Sequence, residues 1–189
     1  MITMAIATLV LAQGAQAPQV PSTMCPVMSS PASASQPVVM YKGSAFGFCC
    51  GGCVETFSNS PETFLKRAAD SADPIGYTLY DFVSGKLIPK DAKTHDVQYQ
   101  GIVYRFLTEE NKAAFEKEPK KYLAPAKESA TMCVVSGETI KPGKAAAFKD
   151  YEGVRYYFCC PDCVNAFSKN PAEFAKKAHA GQAKVHPLG

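Results

Sequence analysis

The sequence repeats one short unit three times, and this repetition constrains the fold more than any other feature. Val83-Ser84-Gly85 in the middle of the chain recurs later as Val135-Ser136-Gly137. The alignment continues through a Tyr-x-Gly motif and a Phe-x-x-x-Pro motif, and an earlier stretch that begins at Cys25 fits the same pattern after a short gap. Each unit spans about 45 residues, which is the size of a structural repeat. We call them units 1, 2 and 3.

Each unit is predicted to contain a loop, a β-hairpin and a bent helix. Alternating aromatic residues around Tyr151-Glu152-Gly153 indicate two short strands joined by a turn. The next segment has apolar residues at helical spacing. Ser60-Pro61, Glu118-Pro119 and Asn170-Pro171 fall inside these helical patterns, so we expect each helix to break and restart with proline as its first residue. The predicted fold class is α+β.

The small size of the unit creates a stability problem. A domain of this size buries too little apolar surface to fold unaided, and it needs a disulfide, a metal ion or a neighbour. The aligned residues Phe57, Phe115 and Phe167 are assigned to the core. Units 1 and 3 have cysteines that could supply a cross-link, whereas unit 2 has none.

The cysteines are confined to the two outer units. The eight residues are Cys25, Cys49, Cys50 and Cys53 in unit 1, and Cys133, Cys159, Cys160 and Cys163 in unit 3. At the aligned positions unit 2 has Asp81, Leu107, Thr108 and Asn111. Since unit 2 lacks all four sulfurs together, we interpret the four cysteines of a unit as one functional group.

One lone cysteine, a long spacer and a Cys-Cys-x-x-Cys cluster form a pattern typical of a small metal finger. The loop would supply one ligand, and the end of the hairpin and the start of the helix would supply the others. A helix N-terminus also favours the thiolate, which is the form that binds metal. Because adjacent residues leaving a strand point to opposite faces, either Cys159 or Cys160 could join Cys163 and Cys133.

Several motifs carry a resemblance to a known family. They are MCPVM (Met24 to Met28), MCVVSGE (Met132 to Glu138), the Tyr-x-Gly turns, FCCGGC, FCCPDC and the Phe-x-x-x-Pro-x-x-Phe tails. With them the chain resembles the YHS or TRASH-type metal-binding domains, small treble-clef-like modules associated with heavy-metal sensing, trafficking and resistance. The resemblance covers nearly everything from Met24 to Ala178, and it implies three tandem treble-clef-like units, the middle one without cysteines.

The resemblance also implies which residues bind metal, with about one ion in each outer unit. The binding sets that it implies are Cys25 with Cys49 and Cys53, and Cys133 with Cys159 and Cys163. Cys50 and Cys160 are candidates for a fourth ligand. Family members with a second cysteine or a histidine near the first would close a zinc site, but this chain has Met28 or Ser136 there. Three thiolates with the Met28 thioether suit Cu(I), whereas four thiolates suit Zn(II) equally well.

The N-terminus and the joints set the expected boundaries. The chain opens with an apolar stretch that ends in Ala15-Gln16-Ala17, which predicts a signal peptide and export to the periplasm or the medium. Segments rich in Pro, Gly, Ala and Ser around Asp70 to Thr78 and Ala124 to Thr131 predict flexible linkers. The expected segments are a signal peptide at 1–17, a linker at 18–23, unit 1 at 24–70, unit 2 at 79–124, unit 3 at 132–178 and a polar tail at 179–189.

The composition narrows the function classes. A formal net charge of +3 without a basic run does not favour nucleic-acid binding. No later segment approaches the ~20 apolar residues that span a bilayer. The sequence has no paired-carboxylate site, Ser/His/Asp set or Gly-rich phosphate loop, so we do not expect an enzyme. It predicts an exported carrier, buffer or accessory in heavy-metal handling that binds Cu(I) or Zn(II), with copper favoured and a metal-transport or sensor protein as partner.

Two other functions fit the cysteines. An exported protein with an even number of cysteines could use disulfides, or a structural zinc ion, to hold together a protein-interaction module. A thiol-disulfide redox protein is the third alternative, because Cys160-Pro161-Asp162-Cys163 has the Cys-x-x-Cys spacing at a predicted helix start. We rank it below the others because such enzymes usually have a larger βαβ framework.

Overall fold

The structure is a computed structural model that describes residues 21–123, 127–129, 132–141, 144–178 and 185–187. The predicted signal peptide lies outside these residues. The strands are β1 (Val39–Tyr41), β2 (Ser44–Phe46), β3 (Gly76–Thr78), β4 (His95–Tyr99), β5 (Ile102–Phe106), β6 (Lys127–Ser129), β7 (Ala147–Tyr151), β8 (Val154–Phe158) and β9 (Val185–Pro187). The helices are α1 (Gly51–Asn59), α2 (Pro61–Ala68), α3 (Glu109–Lys117), α4 (Pro119–Tyr122), α5 (Pro161–Lys169) and α6 (Pro171–Lys177). The predicted α+β class is confirmed.

The Tyr-x-Gly motif closes the hairpin of each unit. In unit 1, Lys42 and Gly43 have φ angles of 49° and 73°, and Tyr41 is paired with Ser44 across the antiparallel β1 and β2. Positive φ at both central residues is the mark of a type I′ turn, whose twist matches that of the strands. The β4–β5 and β7–β8 hairpins turn in the same way. The predicted hairpins are therefore present in all three units.

Each hairpin leads into two short helices that meet at a proline. The first helix ends before Pro61 in unit 1, before Pro119 in unit 2 and before Pro171 in unit 3, and that proline begins the second helix. Proline has no N–H to continue the first helix, but its fixed φ suits the first position of the next one. The predicted break in the helix is confirmed.

One phenylalanine from the first helix anchors the core of each unit. The Phe57 ring is fully buried, with its centroid 4.8 Å from that of Phe46 and 5.8 Å from that of Phe64. Phe115 and Phe167 are 1% exposed and occupy the corresponding places. A buried aromatic ring of this kind stabilises a fold by roughly 1.5–3 kcal/mol. These clusters hold the hairpin against the helix, and so position the loop that precedes them.

Units 1 and 2 share one five-stranded sheet in the order β1-β2-β3-β5-β4. Strand β3 pairs antiparallel with β2 and parallel with β5. The expectation of a flexible linker from Asp70 to Thr78 is therefore wrong for its last residues, which form a central strand. Strands β2 and β3 pack closely at Gly76, where a Cβ would lie only 2.8 Å from the Phe46 ring.

Unit 3 builds a separate four-stranded sheet in the order β7-β8-β6-β9. Strand β6 pairs parallel with β8 and antiparallel with β9. The expected linker at Ala124 to Thr131 therefore also contributes a strand, and the C-terminal segment supplies its outer partner. No helix in the described part of the chain is long and apolar enough to cross a membrane.

The loop of unit 2 packs directly on unit 3. The Phe148 N–H donates to the Gly85 carbonyl at 2.8 Å. Nearby, the buried Arg155 guanidinium lies 3.6 Å from the Phe148 ring centroid and 4.5 Å from that of Phe82. Asp150 accepts two hydrogen bonds from the same guanidinium, at 2.8 and 2.9 Å. Pairing with a carboxylate offsets the cost of burying the charge. Unit 2 is thus held by both neighbours.

Candidate metal centres

A tight loop presents the lone cysteine of each outer unit. In unit 1 the Cys25 N–H donates to the Ser30 carbonyl at 2.7 Å, and the Ser29 N–H donates to the Cys25 carbonyl at 2.9 Å. Cys133 heads the same loop in unit 3, closed by bonds of 2.9 and 2.8 Å. The loop turns back on itself and directs the cysteine sulfur inward, so that both lone cysteines are 0% exposed.

Three sulfurs converge in each outer unit. The clusters, in each of which every sulfur lies within 4.8 Å of the others, are Cys25 with Cys49 and Cys53, and Cys133 with Cys159 and Cys163. The last two sulfurs of each cluster are 3.7 Å apart. Two thiolates bound to one tetrahedral zinc at about 2.3 Å would be about 3.8 Å apart. The last two sulfurs of each cluster therefore have the spacing of two ligands of one ion.

The clusters are buried on one side and open on the other. Cys53 is 4% exposed and Cys163 is 7% exposed, because both lie on the first turn of a helix that faces the core. Cys49 and Cys159, which follow the hairpin, are half-buried. The half-buried cysteine is therefore the member of each cluster that is nearest to solvent.

Cys50 and Cys160 stand outside the three-sulfur groups. Cys50 is exposed and Cys160 is half-buried, yet each sulfur is 3.2 Å from the helical cysteine of its own unit. Of the two pairings that the sequence leaves open, the structure groups Cys159 with Cys133 and Cys163. The vicinal cysteines therefore occupy different positions, as expected for neighbouring residues of an extended segment.

The residue three places after the lone cysteine differs between the two centres. Met28 in unit 1 has a side chain that is 64% exposed. Its counterpart in unit 3, Ser136, places its hydroxyl 3.3 Å from the Cys159 sulfur. Unit 3 therefore surrounds its sulfurs with an additional hydrogen-bonding group that a methionine cannot provide.

Backbone amides favour the thiolate of Cys25. Burial alone would raise its pKa, but the N–H groups of Cys49, Met28 and Val27 donate to the sulfur and lower the pKa below its ordinary value. Several N–H donors aimed at one sulfur provide the environment that stabilises a negative charge. The lone cysteine is therefore prepared to ligate a cation.

In unit 3 hydrogen bonds to the lone cysteine again outweigh burial and lower its pKa. Burial opposes ionisation of Cys133, but the Ser136 hydroxyl and backbone, together with the backbone of Cys159, lower its pKa to about 7. The thiolate, which is the ligating form, is therefore substantially populated near neutral pH.

The helical cysteines show the opposite shift. The pKa of Cys53 is raised, first by its hydrogen bond with Cys50 and then by burial. The pKa of Cys163 is also raised, first by burial and then by Cys160. A second negative charge beside an existing thiolate is unfavourable until a cation neutralises both. Metal binding at these clusters would therefore release protons.

In unit 2 the carboxylate of Asp81 lies at the position of the lone cysteine. The Asp81 side chain is 0% exposed, and its Oδ1 accepts hydrogen bonds from the Val83 and Ser84 N–H groups, both at 3.0 Å. Its Oδ2 accepts from the Leu107 N–H at 3.0 Å and from Asn111 Nδ2 at 2.7 Å. These bonds join the loop, the hairpin end and the helix start, which are the elements that an ion would join in the outer units.

The helix N-cap differs in the same way. Thr108 caps α3, and its side chain accepts a hydrogen bond from the Asn111 N–H at 3.2 Å. Cys50 and Cys160 hold the aligned N-cap positions of α1 and α5, where their side chains make no cap hydrogen bond. Asp81, Thr108 and Asn111 align with cysteines in the sequence, but their hydrogen bonds were not predicted. Two signals of them were visible in the sequence, namely an acid at the place of a predicted ligand and a good N-cap residue.

The comparison with known families agrees with this geometry. A profile of the YHS domain matches residues 79–126 and 135–178. The chain contains two YHS domains. The family predicted from the sequence motifs is thus confirmed for units 2 and 3 of this YHS-domain protein, and unit 1, outside the matched residues, has the same loop, type I′ hairpin and bent helix. No curated protein and no solved structure matches the chain significantly. The YHS domain and the two cysteine clusters together fit metal binding.

Proposed function

We propose that this YHS-domain protein carries or buffers a soft metal ion, one in each outer unit, as part of heavy-metal handling. The observation that carries the proposal is the pair of three-sulfur clusters in units 1 and 3, each with sulfurs within 4.8 Å of one another. Thiolates are the ligands that Cu(I) and Zn(II) accept most readily, and they exclude hard ions such as Mg²⁺.

Unit 2 supports a cargo role over a purely architectural one. It has the same hairpin and bent helix without any sulfur, because hydrogen bonds to the Asp81 carboxylate join the same elements. The architecture therefore has a solution that needs no ion. Ions in units 1 and 3 are then best explained as something the protein binds and gives up.

Copper is the favoured ion. Three convergent thiolates suit Cu(I), a soft ion for which thiolates are preferred ligands. The half-buried Cys49 and Cys159 leave one side of each cluster open to a competing thiol. We propose a metal-transport or sensor protein as the partner, with its own thiolates taking the ion by ligand exchange.

We also propose that the protein acts outside the cytoplasm, on the basis of the apolar stretch at residues 1–17. Expression of the whole chain in a bacterium that exports proteins would test this. A periplasmic product that begins after Ala17 is the expected result, and an unprocessed cytoplasmic product would contradict it.

Exchange of the ion without unfolding tests the main proposal. The full chain is loaded with Cu(I) under reducing conditions and mixed with a competing chelator, while near-ultraviolet circular dichroism of the tyrosines reports tertiary packing. We expect the ion to transfer with little change in the spectrum. Loss of the spectrum together with the ion would show that the metal is structural, as in a zinc-stabilised interaction module.

Competition between metals tests the choice of copper. The chain loaded with Zn(II) is titrated with Cu(I), and released zinc is measured with a colorimetric indicator. We expect one equivalent of Cu(I) per site to displace the zinc. Retention of zinc against equimolar Cu(I) would contradict the preference for copper.

A further inference from the structure

The fourth cysteine of each outer unit forms a second, closer pair with the helical cysteine. Cys50 is the N-cap of α1 and Cys53 lies in its first turn, with their sulfurs 3.2 Å apart. Cys160 and Cys163 repeat this arrangement on α5 at the same distance. Because both outer units have the same sulfur–sulfur distance, the close pair is a property of the repeated unit.

The distance distinguishes this pair from the metal cluster. Sulfurs that share a tetrahedral zinc are about 3.8 Å apart, whereas sulfurs in a disulfide are about 2.05 Å apart. At 3.2 Å, Cys50 and Cys53 are closer than two ligands of one ion, and a movement of about 1.2 Å would join them. Cys49 and Cys53, at 3.7 Å, have the ligand spacing instead.

The helix cap provides an independent argument. Unit 2 caps its helix with Thr108, which accepts a hydrogen bond from the Asn111 N–H. A cap of this kind stabilises a helix by about 1 kcal/mol. Cys50 and Cys160 make no such bond. The outer units therefore forgo a cap that the same fold can accommodate, which points to a role for the thiol itself.

Exposure gives the two thiols different roles. Cys50 is exposed, so an external disulfide can approach it, whereas Cys53 is 4% exposed and can be reached mainly by its neighbour. An accessible attacking thiol beside a shielded second thiol, three residues later at a helix start, is the arrangement that thiol-disulfide exchange requires.

We propose that Cys50 with Cys53, and Cys160 with Cys163, act as dithiols that exchange with an external disulfide when the metal cluster is empty. The Cys50 thiolate attacks one sulfur of a disulfide RSSR, forming a mixed disulfide and releasing RS⁻. The Cys53 thiol transfers its proton to the released RS⁻ and attacks the Cys50 sulfur, forming the intramolecular disulfide and releasing the second RS⁻. The protein dithiol loses two electrons and two protons, and RSSR becomes two RSH.

Metal and disulfide compete for the same atom. The Cys53 sulfur belongs both to the cluster with Cys25 and Cys49 and to the pair with Cys50. A thiolate is the metal ligand, and its conversion to a disulfide removes that ligand. This competition rests on the proposed metal-binding function, and it makes release of the ion dependent on thiol redox conditions.

Disulfide mapping of the full chain tests the pairing. The reduced, metal-free chain is treated with oxidised glutathione, the remaining thiols are alkylated, and peptides are identified by mass spectrometry. We expect Cys50–Cys53 and Cys160–Cys163 disulfides, with the other four cysteines alkylated. Predominant Cys49–Cys50 or Cys49–Cys53 linkages, or uptake of glutathione without an internal disulfide, would overturn the proposal.

Repeating the reaction with Zn(II), which has no redox chemistry of its own, tests the competition. With free zinc at about 100 times its dissociation constant, about 1% of the clusters are empty, so oxidation should slow by about 100-fold. An oxidation rate unaffected by saturating zinc would refute competition. If the chain binds neither Zn(II) nor Cu(I) while both disulfides form, the proposed function fails and the dithiol pairing stands.

Unit 2 suggests the matched control. The double substitution Cys50→Thr and Cys160→Thr places the unit 2 residue at both N-caps, and we expect it to abolish both internal disulfides and to preserve the fold. Cys49→Ser with Cys159→Ser should have the reverse effect, with the disulfides retained and metal binding lost. Internal disulfides that persist in the threonine variant would contradict the assignment.

Discussion

Asp81→Ala is the most informative change in unit 2, because it removes the group that lies where the outer units have their cysteine clusters. The carboxylate is 0% exposed and accepts four hydrogen bonds, two from the loop and one each from Leu107 and Asn111. At about 1 kcal/mol for each bond, the free energy of unfolding should fall by about 4 kcal/mol. This is a large part of the 5–15 kcal/mol that is typical of a domain.

Urea unfolding with a metal chelator present measures this loss without a contribution from bound ions. With a slope of about 2 kcal/mol per molar urea, a loss of about 4 kcal/mol moves the midpoint down by about 2 M. Asp91→Ala is the surface control, since Asp91 is exposed, and it should change the free energy of unfolding by less than about 0.5 kcal/mol. A loss below about 1 kcal/mol for Asp81→Ala would refute the view that this carboxylate holds unit 2 together.

Three further predictions concern the sites around this network. Gly85→Ala should lower the free energy of unfolding by about 3 kcal/mol, because φ is 73° and a Cβ would lie 2.3 Å from the Phe148 carbonyl oxygen. Gly137→Ala is the control: φ is 75° but a Cβ there would meet open space, so the loss measured by urea unfolding should be about 1 kcal/mol. Ser136→Ala removes a hydrogen bond that lowers the pKa of Cys133, so that pKa should rise and zinc binding at unit 3 alone should weaken about tenfold in calorimetry. Equal weakening at unit 1 would contradict this prediction. Folding lowers the pKa of Cys133 from 9.0 to about 7, so the stability due to its thiolate is present above pH 9 and is lost as the pH falls towards 7. Because the thiolate is also the form that binds metal, the zinc affinity of unit 3 should be lower at about pH 6 than at about pH 8.

The sequence predicted those parts of the fold that depend on local interactions. The type I′ turn at Lys42-Gly43 and the helix break at Pro61 each depend on a few neighbouring residues, so the motifs were sufficient. Strands β3 and β6 were missed because each has three residues, and its pairing with β5 or β8 depends on contacts distant in sequence. A short segment with glycine or alanine nearby has the composition of a linker, and only the position of the neighbouring strand shows that it is part of a sheet.

The candidate site was predictable in composition but not in arrangement. The spacing of the cysteines grouped the four of each outer unit without showing which three would converge. The extended backbone of Cys160 at the N-cap decides that Cys159 joins the cluster and that Cys160 pairs at closer range with Cys163. The hydrogen bonds of Asp81 to Asn111 required the helix and the loop to be placed together, which no local pattern could show.

The metal content of the purified chain tests the central claim most directly. Wild-type protein, prepared under reducing conditions, should contain about two ions per chain when measured by elemental analysis. Cys53→Ser and Cys163→Ser should each remove one ion, the double substitution should remove both, and all three variants should keep their circular dichroism. Two ions retained in the double variant, or none in the wild-type protein, would contradict metal binding by the clusters of units 1 and 3.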